Sequence, residues 1–346
     1  MKIAAFNVKN LGVRKLNKDI VRKNLIKIVS RYSVVVLLEV RDPNGRALNK
    51  FLTELNRQKG NSSRPYKMEI GAPVGRHSHR EQFVFFYRQD EMSVIDRYQY
   101  EEENEDVLAR EPFIVQFRRR SARLVKKLVL IPVHTKPKDA EHELRALHNV
   151  VQDARRRWGT NSIMILGDFN ADGRYLSNTK RTNIRMSSRP YLWLIDEDAD
   201  TTTSDLNDHT YDRIVVFGKR MNDAVVPDSA KPFDFKRAYH LTDDTKQSVS
   251  PIDSKDNSKG HHSQIGEFLF LVFCIFYRKA CKGLITAAEC PPPGSGCPPP
   301  GPGCISELGE GEARQVSPVE LFQSERRREN KGRLQIVLSE IVQRRL

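Results

Sequence analysis

Seven runs rich in β-branched and aromatic residues are strung along the chain: KIAAFNV, SVVVLLEV, QFVFFYR, FIVQF, LVLIPVHT, IMILGDFN and YDRIVVFG. Turn residues bound several of them, so they read as strands. Between them lie stretches with helical spacing. In 19–32 apolar residues recur at Val21, Leu25, Ile28, Val29 and Tyr32, and in 139–154 Leu144, Leu147 and Val151 share one face. Strands interleaved with amphipathic helices make residues 1 to 250 one α/β body, with the helices as cover for a sheet.

The ends of these runs are polar. The run MILGDFNADG passes through Gly167 into Asp168, Phe169 and Asn170. Alternation along a strand puts Asp168 and Asn170 on one side and Phe169 on the other. Gly167 leaves room for a ligand or another backbone. Asn7 ends the first run. Glu39 follows the second, with Arg41 on the same face by alternation. Glu81 opens the third, His134 closes the fifth and Asp212 opens the last. Each has a plain structural reading on its own: a turn residue for Asn7, an ion pair for Glu39 and Arg41, a strand-edge acid for Glu81. His134 could be a core histidine, and Asp212 with Arg213 a surface pair. Carboxylates and a histidine gathered at the strand ends of one sheet system describe a metal-dependent hydrolase site.

The net charge of +14 favours polyanionic partners. Arg118–Arg120, Arg155–Arg157 and Arg326–Arg328 are basic runs, each read alone as a solvated face. All five cysteines, Cys274, Cys281, Cys290, Cys297 and Cys304, follow residue 273, so no disulfide holds the body, and their spacing is not that of a zinc site. The run FLFLVFCIFY, 268–277, is too short to span a bilayer, which takes about 20 residues. MKIAAFNV enters a strand at once, so no signal peptide is expected. The two regions expected are a body, 1–266, and a tail, 267–346. CPPPGSGCPPPGPGC makes much of the tail low in complexity and unlikely to pack, and 318–345 could form a charged amphipathic helix.

Taken together, AAFNV, SRYSVVVLLEVRD, REPFIVQF, IPVHTKPKDAEHEL, MILGDFNAD, YDRIVV and AVVPDSAKPFDFKRAY resemble the deoxyribonuclease I family of the endonuclease/exonuclease/phosphatase superfamily. The likeness runs in order through residues 1 to 250. It implies a four-layer α/β/β/α sandwich of two mixed β-sheets flanked by helices, with the low-complexity tail beyond it. It also implies hydrolysis of double-stranded DNA to 5′-phosphate and 3′-hydroxyl ends with Mg²⁺ or Mn²⁺, assisted by Ca²⁺. Position by position, it implies that Glu39 binds the metal with Asn7 and Asp168 nearby, and that Asn170 holds the scissile phosphate. His134 would be the general acid–base, oriented by Glu81, and Asp212 would orient a second histidine. Arg41 would enter the minor groove, Arg110 and Tyr175 would contact phosphate, and His79 stands where the family has a groove tyrosine. A monomer, a secreted location and actin as a partner are further implications of the family. With no signal peptide, nucleus or cytoplasm is the alternative location.

The pattern departs from the family at its last strand, which carries Ser-Asp-His. The ungapped register gives Ser250, Pro251 and Ile252 instead. An insertion would restore the histidine as His262, and the run 268–277 could supply the strand. Gly173 and His209 occupy the family's disulfide positions. Three readings follow: a DNA endonuclease, a catalytically impaired DNA-binding pseudoenzyme, and another phosphodiesterase of the superfamily, such as an abasic-site nuclease or a sphingomyelinase.

Overall fold

The computed structural model describes residues 1–76, 80–103, 105–121, 124–173, 175–202 and 208–241, and the backbone of 271–275. All belong to one unit, Met1–Gly283. His79, His262, the proline-rich run and the helix expected over 318–345 lie outside the described residues.

Twelve strands are described, in chain order β1 Lys2–Leu11, β2 Val34–Val40, β3 Tyr66–Ile70, β4 Gln82–Arg88, β5 Met92–Gln99, β6 Phe113–Arg119, β7 Lys127–His134, β8 Ile163–Asp168, β9 Tyr191–Trp193, β10 Asp212–Phe217, β11 Lys231–Phe233 and β12 Leu271–Ile275. They form two six-stranded sheets, in the orders β11-β12-β1-β2-β4-β3 and β5-β6-β7-β8-β10-β9. Each is mixed: β1 and β2 pair in parallel in the first sheet, β7 and β8 in the second, and the other pairings are antiparallel.

Three apolar layers hold the sandwich. Ile3, Ala5, Val36 and Phe85 of the first sheet meet Leu130, Leu166 and Ile214 of the second between the sheets. Ala4, Leu37 and Phe86 face outward onto the helices Asp19–Val29 and Arg46–Arg57. Ile131, Ile165 and Val215 face outward onto the helix Ala140–Trp158. The expected order of helix, sheet, sheet, helix is therefore the observed one. Alternate residues of each inner strand go to the shared core and to a helix, as a sheet buried on both faces requires.

The segment 271–275, placed in the tail on composition, contributes β12. It pairs antiparallel with β1, from Lys2 with Ile275 to Ala5 with Val272, and with β11 on its other side. The apolar run thus supplies a strand between β1 and β11.

Close approach of β7 and β8 depends on Gly167. Its φ is +138°, and a Cβ there would stand 2.2 Å from the Val133 carbonyl oxygen. Gly167→Ala is expected to destabilise the fold by at least ~2 kcal/mol, because both the backbone angle and the carbonyl forbid a methyl group. Urea unfolding of the two proteins measures this; an unchanged midpoint would contradict the reading.

Candidate active site

The register across the second sheet sets His134 of β7 beside Asp168 of β8, and Asp168 opposite Asp212 of β10. Three ionisable side chains therefore stand in a row on three adjacent strands. All three follow the alternation that sends Leu130, Leu166 and Ile214 into the core between the sheets. The row is the polar end of that core. From the first sheet, Asn7 of β1 and Glu81, just before β4, face it with the same parity as Ala5 and Phe83.

Contacts between the sheets close the site. His134 Nδ1 lies 2.5 Å from Glu81 Oε1. Arg110 Nε lies 2.9 Å from Glu81 Oε2, a charge contact rather than an aligned hydrogen bond. Asn7 Nδ2 donates to Glu39 Oε1 at 2.9 Å and reaches Asp168 Oδ2 at 3.4 Å. His134 Nε2, the nitrogen left free by Glu81, lies 3.4 Å from Asp168 Oδ2 and 3.8 Å from Glu39 Oε1. Asn170 donates from its side chain to the Thr135 carbonyl at 3.0 Å, and its backbone N–H donates to Asp168 Oδ1 at 3.1 Å. Asp168 and Asn170 are thus brought together as alternation suggests, and Phe169 turns away onto Trp193 in the outer layer.

Alternation does not carry from Glu39 to Arg41. The β2 register shifts between Leu37 and Val40, and Glu39 has φ +56°. Leu38 faces the inner core while Leu37 and Val40 both face the outer one. The extra residue is Glu39, aimed by a bulge toward Asn7. Arg41 lies beyond the strand, exposed, with its carbonyl packed on Gly12. Lys9, Asn10 and Asn170 also have positive φ. Left-handed backbone at non-glycine residues costs about 1–3 kcal/mol each, and clustering of it marks functional sites. Asp212 and Arg213 are not a surface pair, since both are buried. Tyr175 is half-buried, its ring 5.6 Å from that of Tyr211.

The electrostatics follow from burial. Desolvation pushes the Asp168 carboxyl up, with Glu39 adding to the shift against His134 and the Asn170 N–H. Asp212 is driven up further, by burial and then by Asp168. Neither of its carboxylate oxygens has a well-formed hydrogen bond among the described residues. Burial and Arg110 oppose charge on His134, but Glu81 and Asp168 outweigh them and its pKa is raised. Glu81 is held below its usual value because His134 and Arg110 overcome its desolvation. Like charges directly opposed on neighbouring strands are unfavourable. The oxygen donors of Glu39, Asp168 and Asn7, together with the orphaned Asp212 oxygens, fit a hard divalent cation. Away from this row, Glu102, Asp106 and Glu111 bring carboxylate oxygens within 4.8 Å of one another.

Two supporting residues escape the sequence reading. Lys15 is buried, and its Nζ donates to the Val8 carbonyl at 2.7 Å and the Lys9 carbonyl at 3.3 Å, holding the left-handed turn after Asn7. Glu143 is buried on the helix Ala140–Trp158. It accepts from Lys136 N at 2.8 Å and Ala109 N at 3.2 Å, so one carboxylate clamps the segments carrying His134 and Arg110. A signal existed for Glu143: it is an acid among the apolar positions Ala140, Leu144 and Leu147.

A chain with this sandwich and this polar row is a member of the Endonuclease/Exonuclease/phosphatase family, whose pattern matches residues 4–228. Within that family it is deoxyribonuclease I-like. It is 38% identical to Deoxyribonuclease-1 of Oryctolagus cuniculus over 255 residues, 72% of this chain and 89% of that protein. It is 39% identical to Deoxyribonuclease-1 of Mus musculus, over 72% of this chain and 88% of that protein. Among solved structures, a humanised TDP2 of D. rerio superposes with a TM-score of 0.52 at 14% identity, covering 80% of this chain and 98% of that one, and shares the fold.

The clamp makes a pH prediction. Burial raises the Glu143 carboxyl from 4.5 to about 7, against its backbone donors. The folded state then binds more protons than the unfolded state between those values, so stability is fully present below the unfolded pKa and falls as pH rises through the folded one. Glu143→Gln cannot ionise, but its amide nitrogen faces one of two N–H groups. The variant is expected to melt lower than wild type at pH 5, with the gap narrowing by pH 8. A gap of equal size at both pH values would contradict the assignment.

Proposed function

We propose that the chain is a divalent-metal-dependent endonuclease that hydrolyses DNA phosphodiester bonds. The observation that carries this is the row His134, Asp168 and Asp212 on adjacent strands, facing Asn7, Glu39 and Glu81 from the other sheet. Relatives named Deoxyribonuclease-1 at 38% identity support DNA as the substrate.

Glu39 and Asp168, with Asn7, would hold Mg²⁺ or Mn²⁺. The ion would supply positive charge to the phosphate as charge builds on its oxygens. Asn170, its amide fixed by the Thr135 carbonyl, offers a donor beside that phosphate. Glu81 accepts from His134 Nδ1, which leaves Nε2 as the nitrogen that exchanges a proton with the reacting oxygens. In hydrolysis an oxygen–phosphorus bond forms to water and the phosphorus–O3′ bond breaks. One proton leaves the water and one reaches O3′, giving 5′-phosphate and 3′-hydroxyl ends. Arg110, bound to Glu81 and near the His134 carbonyl, would meet a phosphate oxygen. Arg41 would lie in a groove and read its width rather than base identity. The acids Glu102, Asp106 and Glu111, half-buried but for the exposed Asp106, are the cluster suited to an assisting Ca²⁺.

Two protons move, so a second group must share the work with His134. His262 is the candidate, and it precedes Leu271 of β12. If no such group reaches the row, the chain would bind DNA and cut it poorly, which is the second reading.

Plasmid nicking in Mg²⁺ and Ca²⁺ decides between them. Wild type is expected to nick, with His134→Ala and His262→Ala each slower by roughly 10²- to 10⁴-fold. Wild-type protein that binds plasmid without nicking it would leave the impaired-binder reading standing.

A further inference from the structure

The end of the sandwich remote from the row carries an uncompensated cluster of cations. β6 and β7 form a hairpin, and its cross-strand register sets Arg118 directly opposite Lys127. Arg120 and Lys126 lie beside this pair in the connection, and all four side chains are exposed. Arg220, after β10, joins them: its Nε donates to the Leu124 carbonyl of the same hairpin at 2.7 Å. Among the described residues, none of Arg118, Arg120, Lys126, Lys127 and Arg220 has a carboxylate in ion-pair contact. The nearby acids are engaged elsewhere. Asp90 and Glu91 pair with Arg64, Glu91 also accepts from Ser33 Oγ, and Asp223 pairs with Lys219.

A directly opposed like-charge pair weakens a hairpin. Folding alone gives no reason for it, and a bound polyanion does. Five cations on one hairpin and its neighbour offer a positive face to a duplex, which carries about one phosphate per 1.7 Å of axis. A lipid surface is the weaker match, because among the described residues Leu124 is the one exposed large apolar side chain there and interfacial anchoring needs a broad apolar face.

The two ends lie apart along β7. β7 runs from Lys127 to His134, eight residues, or about 25 Å of strand. Duplex DNA is stiff over about 150 base pairs, so a segment lying across the row cannot fold back onto the far end.

We propose that this basic end is a second, non-cleaving seat for the phosphate backbone of duplex DNA. One molecule would then hold a distant segment of DNA while the row acts on another. The choice of DNA over other polyanions rests on the nuclease reading.

The test uses the full chain and two variants. Arg118→Glu turns the like-charge pair into an opposite-charge pair, so it should fold at least as well as wild type. The triple variant Arg118→Gln, Lys126→Gln, Lys127→Gln removes charge without reversing it. Stoichiometric titration with a 12-base-pair duplex, at low salt in EDTA so that nothing is cut, is expected to show each variant binding one duplex fewer than wild type. With long DNA, the slope of log affinity against log salt should flatten by about 0.9 for each phosphate that the variant no longer neutralises. Nicking of a short duplex in Mg²⁺ should stay within about twofold of wild type, since the variants lie far from the row. Equal stoichiometry and equal salt slopes in all three proteins would overturn the proposal. Binding of phosphatidylserine vesicles that the variants lose, with duplex stoichiometry unchanged, would overturn it in favour of a lipid. A protein that never nicks but whose variants still bind one duplex fewer would refute the nuclease reading and leave the second seat intact.

Discussion

Glu81 belongs to one sheet and His134 to the other, and the 2.5 Å contact between them crosses the sandwich at its polar end. Asn7 and Asp168 repeat the crossing one strand along in the second sheet and two along in the first. Both contacts exist because the two sheets are held face to face by a dry core whose register is fixed. A slip of one residue in β8 would send Asp168 into the outer layer and Phe169 into the row. The chemistry of the row is thus a boundary condition of packing: the same alternation that fills the core with Leu130, Leu166 and Ile214 delivers His134, Asp168 and Asp212 at its rim.

That delivery is unfavourable in isolation. Asp168 and Asp212 are buried, opposed and pushed toward their neutral forms, and several neighbouring residues occupy left-handed backbone. The surroundings hold the arrangement in place through groups with no role in proton transfer. Lys15 ties down the turn after Asn7, Glu143 clamps two segments at once, and Gly167 lets β7 and β8 close together. A buried carboxyl pair beside an amide and a glutamate is an arrangement that gains from a cation, as buried charges do when they are paired or coordinated.

Much of this is legible in the sequence. All seven apolar runs are strands, and the polar residues at their ends do converge. Five strands fall outside those seven runs: β12 lies in the short apolar run 268–277, and the other four, β3, β5, β9 and β11, are the sheet edges. Edge strands are half-solvated and carry charges such as Lys67, Glu69, Asp96 and Arg97, which interrupt any continuous apolar stretch. The helix Arg46–Arg57 does leave a trace, with Ala47, Leu48, Phe51 and Leu55 on one side, but its charged residues mask the stripe. The bulge at Glu39 is not legible, because alternation assumes an unbroken ladder. The clamps by Lys15 and Glu143 are not legible as roles, since each acts on backbone groups that carry no sequence signature.

β12 gives the order of synthesis a structural meaning. β1 is made before the other described strands, and β2 soon covers one of its edges, but the other edge is closed by residues 271–275. Until that segment leaves the ribosome, β1 and β11 have a gap between them where a strand belongs. The nascent chain therefore carries an open backbone ladder from the emergence of β1 until residues 271–275 emerge. Completion of the first sheet waits on β12, and the short apolar segment that achieves it lies beyond the region in which the family likeness is written.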